Sequence, residues 1–200
     1  MSTHQEEDYV QLRDRLTELE AKFQHFSQLF TLPERVTKIE DTLLLVADVY
    51  RFRRLQELLA AGDWRQADRE TIQVILSVTK APDLESISPN DVRQFPCNEL
   101  YVIDRLWTNY SQGRFGFSVQ AQLYQSVGGS LETTIAQDYS VIERFGDRVG
   151  WRVNGNWQKC DDLDYTLNAP MGCHPSRWWN SPFGAKMTNY FFARLITCEL

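Results

Sequence analysis

The side chains of this 200-residue chain that can do chemistry are scattered. Its four cysteines, Cys97, Cys160, Cys173 and Cys198, show no CxxC spacing, which argues against a zinc site or a redox pair. Of the three histidines, His4 and His25 lie near the N-terminus and only His174 falls in the second half. No Ser-His-Asp arrangement, P-loop or dinucleotide fingerprint is present. Binding chemistry is better supplied. Arg105, Arg114, Arg148, Arg152, Arg177 and Lys186 are cations in the aromatic-rich half, and a guanidinium grips a carboxylate bidentately. Taken singly, each reads as a solvated surface charge. Trp107, Phe115, Phe117, Trp151, Trp157, Trp178, Trp179 and Phe183 offer large flat apolar faces. Trp107 repeats at helical spacing with Leu100, Ile103 and Leu106 and reads as core; Phe115, Phe117 and Val119 fit a core or a site equally.

The elements that position these residues read as helices. Leu12, Leu16, Leu19, Phe23, Phe26 and Phe30 alternate at spacings of four and three, a heptad seam interrupted at Pro33. A second helical stripe runs from Val36 through Ile39, Leu43 and Val46 to Tyr50. The stripe must bury itself in a helical hairpin, against the rest of the chain, or in a second copy. The expected organisation is a disordered tail over 1–8, a helical hairpin or coiled coil over 9–49, and a core domain over 50–200. In the core, Gly62 suits a helix C-terminus and Asp63 the cap of the next helix. Residues 81–98, with three prolines, read as an ordered loop in which Ser88 starts a short helix. Helices are expected over 99–110, 117–126, 131–146 and 184–196, with an Asn154-Gly155 hairpin signal between Trp151 and Trp157. The fold class is all-α, with at most a minor β ribbon.

Composition narrows the function. Apolar residues make up 42% and aromatics 12%, enough for a real core, and no apolar run approaches the eighteen or so residues of a membrane span. Net charge is −6 and pI about 5.1, which speaks against a nucleic-acid partner and leaves peripheral membrane contact at most. The N-terminus, MSTHQEEDY, lacks the basic and apolar regions of a signal peptide, so a cytoplasmic location and reduced thiols are expected.

The segment from Ile103 to Gln120 is the most specific. Ile103, Asp104, Leu106, Trp107, Ser111, Gly113, Phe115, Gly116, Phe117, Ser118, Val119 and Gln120 fill a pattern that resembles the signature of the Genomes-Uncoupled-Four family, tetrapyrrole-binding regulators of magnesium chelatase. Leu58 to Trp64 with Ala67-Asp68, and Leu167 to Gly172 after Trp151 and Trp157, resemble its flanking parts, so the likeness covers roughly residues 50–198. The resemblance implies a compact multi-helix domain that binds protoporphyrin IX or its magnesium complex non-covalently, without catalysis. Its implied partner is the large porphyrin-carrying subunit of magnesium chelatase, in a cyanobacterial cytosol or a plastid stroma. The implied cup forms around the signature corner and is roofed by residues 172–186. Its candidate residues are Arg114, Phe115, Phe117, Val119, Trp151, Trp157, Trp178, Trp179, Asn180, Phe183 and Lys186, with Arg114 and then Lys186 foremost for propionates. The roof departs from the family pattern: Phe183 stands where an arginine precedes the glycine. Cys173-His174 can be read as an axial ligand, as a thioether anchor for a bilin, or as an ordinary loop pair. The rival reading is a paralogous scaffold or sensor that assembles as a homodimer through residues 12–30 and binds a bilin or a protein.

Overall fold

The structure, a computed structural model, describes residues 11–22, 50–179 and 185–200, with 185 and 186 as backbone alone. The chain divides into two units, residues 1–49 and 50–200. In the first, residues 11–22 form a helix, α1, that exposes Leu12, Leu16 and Leu19. The expected tail over 1–8, the seam positions Phe23, Phe26 and Phe30, and the second stripe from Val36 to Val46 lie outside the described residues, while Tyr50, the last of that stripe, opens the next helix and is exposed.

The second unit opens with α2 (residues 50–60), which buries Phe52, Leu55, Leu58 and Leu59. Gly62, at φ +71°, ends it as glycine can, and the Asp63 carboxylate accepts from Gln66 N at 3.1 Å to start α3 (Trp64–Thr79). A 3-10 turn (Leu84–Ser86) leads to α4 (Pro89–Gln94), opened by a reciprocal capping box between Ser88 and Asp91. Next come α5 (Cys97–Tyr110) and α6 (Phe117–Ser126). The helix expected over 131–146 is instead two, α7 (Leu131–Ile135) and α8 (Tyr139–Val149). Gln137 turns to φ +55° and Asp138 caps a fresh helix by accepting from Ser140 N at 3.0 Å, a local stop that apolar periodicity does not register. A two-residue ribbon follows, β1 (Arg152–Val153) on β2 (Asn156–Trp157), joined through Asn154 and Gly155, both at positive φ. Two 3-10 turns (Cys160–Asp162 and Arg177–Trp179) precede α9 (Ala185–Thr197).

The last helix is central to the core. α9 packs on α4, α6, α7 and α8. Phe192 stacks on Tyr124 with ring centroids 4.0 Å apart and meets Phe145 edge-on at 4.8 Å, while Phe191 stacks on Trp178 at 4.0 Å. One expectation is overturned: Cys97 and Cys198 form a disulfide between the start of α5 and the chain end just past α9, while Cys160 and Cys173 are free and buried. Spacing alone cannot show that two positions 101 residues apart lie with Cα atoms 5.4 Å apart.

Candidate functional site

The signature corner between α5 and α6 is an internal joint. Ser111 Oγ accepts from Phe115 N at 2.9 Å and holds the turn in which Gln112 and Gly113 adopt positive φ. Asp104, on α5, accepts from Ser118 N at 2.8 Å and Ser118 Oγ at 2.9 Å, at the start of α6. Burial raises the Asp104 pKa, opposed by these hydrogen bonds. Gly116 sits at φ +140°, and a Cβ there would lie 2.7 Å from both Asp104 Oδ1 and Thr108 Cγ2. The absence of a side chain is what lets α6 close on α5.

This joint grips the segment from Gly172 to Ser176. Gly116 N donates to His174 O at 3.0 Å, and Gln120 Nε2 donates to Gly172 O at 2.9 Å and Pro175 O at 2.8 Å. Trp151 Nε1 donates to Cys173 O at 2.7 Å. From α3, the fully buried Asp68 accepts from Ser176 N at 2.7 Å, Ser176 Oγ at 2.6 Å, Arg177 N at 3.2 Å and Tyr165 Oη at 2.9 Å. A buried carboxylate persists when its lone pairs are filled this way. The segment expected as a roof is, over 172–176, part of the interior.

Cys173 and His174 are therefore enclosed. His174 Nε2 donates to Asp164 O at 2.8 Å, and the ring stacks on Tyr165 at 4.4 Å and meets Phe115 edge-on at 5.1 Å. Burial lowers the His174 pKa and pushes the Cys173 thiol up to about 12. Neither group is placed to ligate a metal or attack a bilin from this interior position, so the pair is a structural one. Among the described residues, no group of three or more His, Cys, Asp or Glu is arranged to hold a metal ion.

The concave surface lies beyond this interior. An apolar groove is lined by Ile75 and Thr79 of α3, Leu84 and Ile87, Val92 and Phe95, Trp178, and Met187 and Phe191 of α9. Its cavity volume is about 30 Å³. At the Leu84 end it adjoins a pocket of about 270 Å³ lined by Arg69, Ile72, Gln73, Leu84 and Arg177. At the Thr79–Phe95 end it adjoins another of about 220 Å³ lined by Val78, Thr79, Asp91, Gln94, Phe95 and Pro96. The arrangement is an apolar trough with guanidinium groups at one end. It suits an amphipathic ligand carrying acidic groups on one edge. Ligand pockets typically measure about 300–1,000 Å³, so a large planar ligand requires the walls to part. The Leu84–Ser86 turn, which forms one wall, buries none of its residues.

The model of the family described as GUN4-like matches residues 46–192. The chain belongs to the GUN4-like family. It is 31% identical over 116 residues to the "Tetrapyrrole-binding protein, chloroplastic" of Arabidopsis thaliana, covering 52% of this chain and 44% of that protein. It is 30% identical over 110 residues to the ycf53 protein of Pyropia yezoensis, covering 54% of this chain and 42% of that one. The chain thus spans less than half the length of these relatives. Among solved structures, ligand-free GUN4 of Arabidopsis thaliana matches at a TM-score of 0.56 and 25% identity, over 71% of this chain and 94% of that one. GUN4 of Chlamydomonas reinhardtii, at 19% identity and a TM-score of 0.52, shares the fold over 70% of this chain and 85% of its own. The expected all-α class is the GUN4-like fold.

Within that fold the expected site residues separate. Phe115 is buried among Trp64, Trp107 and His174, and Phe117 packs edge-on against Phe191 at 5.1 Å. Trp151, Trp157 and Trp179 come together in one cluster, Trp179 stacking on Trp151 at 5.4 Å and lying tilted against Trp157 at 5.2 Å. Trp178 alone of the described candidates lines the groove. Arg114 donates from Nη2 to Ala169 O at 2.8 Å and ties the signature turn to the 169–172 bend, and Val119 is half-buried on α6. Asn180 and Phe183 lie outside the described residues, and Lys186 is described as backbone in the first turn of α9. Of the other cations, Arg152 pairs with Glu143 and Asp147, each at 2.9 Å, and Arg105 and Arg148 are exposed. Sequence reasoning missed Asp68, Arg69, Leu84 and Phe95. For Asp68 a signal existed: an acid on the apolar face of α3, between Trp64 and Thr71, has to find a partner.

Proposed function

We propose that this chain is a non-catalytic tetrapyrrole-binding protein that holds protoporphyrin IX or its magnesium complex in the α3–α4–α9 groove. The observation that carries the reading is the union of an apolar trough with adjoining arginines, in a chain of the GUN4-like family with a relative named for tetrapyrrole binding. Aromatic and aliphatic walls suit the flat macrocycle, and magnesium, which favours oxygen ligands and retains water, needs no protein ligand here. We further propose that the bound pigment is exchanged with the large subunit of magnesium chelatase, in a cyanobacterial cytosol or plastid stroma. Relatives come from Synechocystis and from a chloroplast-targeted plant protein. Among the described residues no helix is long and apolar enough to cross a membrane.

The test is quenching of tryptophan fluorescence by deuteroporphyrin IX and its magnesium complex, with Trp178 in the groove wall as a near reporter. Saturable one-to-one quenching is expected. Leu84→Glu, a charge on a half-buried wall residue, weakens it at least about tenfold with the fold intact, since burying an unpaired carboxylate against an apolar ligand costs more than 1.4 kcal/mol. Quenching unchanged in Leu84→Glu would place the pigment elsewhere. A second reading, assembly of two copies through residues 12–30, is favoured by the exposed Leu12, Leu16 and Leu19 stripe on α1.

A further inference from the structure

Four of the six tryptophans form one continuous line that starts in the groove and ends at the surface. Trp178, in the groove wall, has its ring centroid 5.7 Å from that of Trp151. Trp151 stacks on Trp179 at 5.4 Å, and Trp179 lies 5.2 Å from Trp157. Trp157 Nε1 then donates to Tyr139 Oη at 3.0 Å, and Tyr139, the first residue of α8, is 48% exposed. The inner members are dry, Trp151 and Trp178 being buried. Their N–H groups meet backbone carbonyls, Trp178 Nε1 donating to Pro175 O at 3.0 Å and Trp151 Nε1 to Cys173 O at 2.7 Å. Trp179 Nε1 is buried with no acceptor among the described residues. A carbonyl oxygen accepts a hydrogen bond but is no base, so these three indoles have nowhere to release a proton.

We propose that this line is a one-electron relay that carries oxidising equivalents from the groove out to Tyr139. The inference rests on the tetrapyrrole reading above and adds a second activity to it, protection of the binding site from photo-oxidation. Tetrapyrroles absorb visible light, and dioxygen that takes one electron from an excited pigment leaves as superoxide. Trp178 returns one electron to the groove, and its own vacancy is refilled in turn from Trp151, Trp179 and Trp157. Indole and phenol side chains give up single electrons readily. Short steps between rings in contact outrun one long jump, because electron tunnelling falls off exponentially with distance. Each buried indole keeps its N–H proton, so the vacancy stays a mobile cation. A cation is costly in the dry interior, which favours its movement to the wet end. There Tyr139 gives its electron to the relay and its phenolic proton to water, and the vacancy stops as a neutral phenoxyl radical. The Tyr139 oxygen accepts from Trp157, which leaves its own O–H for solvent. The net change is one phenol converted to a phenoxyl radical and a proton, with one dioxygen reduced to superoxide. A soluble thiol then restores the phenol by giving up a hydrogen atom and becoming a thiyl radical.

The experiment flashes the full chain with deuteroporphyrin IX bound, a cobalt pentaammine salt standing in for dioxygen as the electron acceptor. Radicals are followed by transient absorption and by electron paramagnetic resonance of freeze-trapped samples. Wild type is expected to give a phenoxyl signal that forms in a first-order step. Tyr139→Phe, which keeps the ring and removes only the hydroxyl, loses that signal and leaves an indole radical in its place. Trp157→Phe loses the phenoxyl signal as well, and both variants bind the porphyrin as wild type does, since neither residue lines the groove. A phenoxyl yield unchanged by both substitutions overturns the relay, and so does oxidised protein without any phenoxyl. A second arm needs no pigment, because azide radicals made by pulse radiolysis oxidise tryptophan in preference to tyrosine. In the ligand-free wild type the indole signal is expected to convert to phenoxyl at a rate independent of protein concentration, and Tyr139→Phe to lose most of that conversion. If deuteroporphyrin does not bind, the pigment reading fails, while conversion that depends on Tyr139 still supports the relay. No conversion in wild type, or equal conversion in Tyr139→Phe, overturns the relay whatever the pigment does.

Discussion

Asp68 is the perturbation from which most can be learned. Asp68→Ala removes the acceptor for two backbone N–H groups, of Ser176 and Arg177, and for the Ser176 hydroxyl; Tyr165 Oη keeps Cys160 O at 3.0 Å. A buried donor left without a partner costs about 1–3 kcal/mol, and breaking a buried charged contact about 3–5 kcal/mol. The net loss expected is about 4 kcal/mol. In Asp68→Asn the remaining oxygen still faces the two N–H groups, and the new amide faces hydroxyls that can turn to accept. Only the charge assistance goes, at about 1–2 kcal/mol. For a unit of this size each kcal/mol moves Tm by about 2–4 °C, so alanine lowers it by roughly 12 °C and asparagine by about 4 °C. Calorimetry with parallel urea titrations measures both. Because the Ser176–Arg177 turn places Trp178 in the groove wall and Arg177 in the adjoining pocket, Asp68→Asn also weakens porphyrin binding more than its small stability loss explains. An alanine variant within about 1 kcal/mol of wild type, or an asparagine variant as damaged as alanine, refutes the argument from acceptor geometry.

Gly116→Ala forces a Cβ to within 2.7 Å of Asp104 Oδ1 at φ +140°, so a loss of about 3 kcal/mol is expected, read by urea unfolding. Reducing the Cys97–Cys198 disulfide releases a closed segment of 101 residues; chain-entropy reasoning assigns this about 4–5 kcal/mol, seen as a lower Tm with dithiothreitol that Cys97→Ala/Cys198→Ala reproduces without reductant. His174 has a folded pKa depressed by burial below the unfolded value near 6.5, so its contribution is full above about pH 6.5 and is lost as pH falls through the folded pKa. Urea midpoints should decline as pH falls below about 6.5 in wild type, and this slope should be absent in His174→Phe. Sedimentation should show self-association that Leu16→Asp abolishes, whereas a monomeric wild type ends the assembly reading.

Local signals were readable from the chain wherever one residue's chemistry decides one turn. Gly62 with Asp63, Ser88 with Asp91, and Asn154-Gly155 each announce a cap or a turn through a short side chain or a missing Cβ. The α6 bounds, Phe117–Ser126, coincide with the expected span because Gly116 opens the helix and Gly128-Gly129, with Gly128 at φ +93°, ends it. The split of 131–146 was not legible, since a helix stop made by Asp138 leaves the apolar spacing nearly intact.

The candidate site was legible only as an inventory. Types and spacing determine that this chain is helical and rich in buried aromatics, and that it carries a motif too long to arise by chance. Whether Phe115 or Phe95 faces a ligand depends on contacts made far along the chain. Phe115 is enclosed because Trp64 and His174 arrive from α2–α3 and from the 172–176 segment. The groove exists because α3, α4 and α9 leave an apolar seam incompletely filled, and Arg69 and Arg177, far apart in sequence, meet at Asp161 while Asp68 holds the Arg177 backbone. Burial and cavity shape are sums over such distant pairs. Periodicity records one helix face at a time, so only the tertiary structure could decide which face meets another and which meets a ligand.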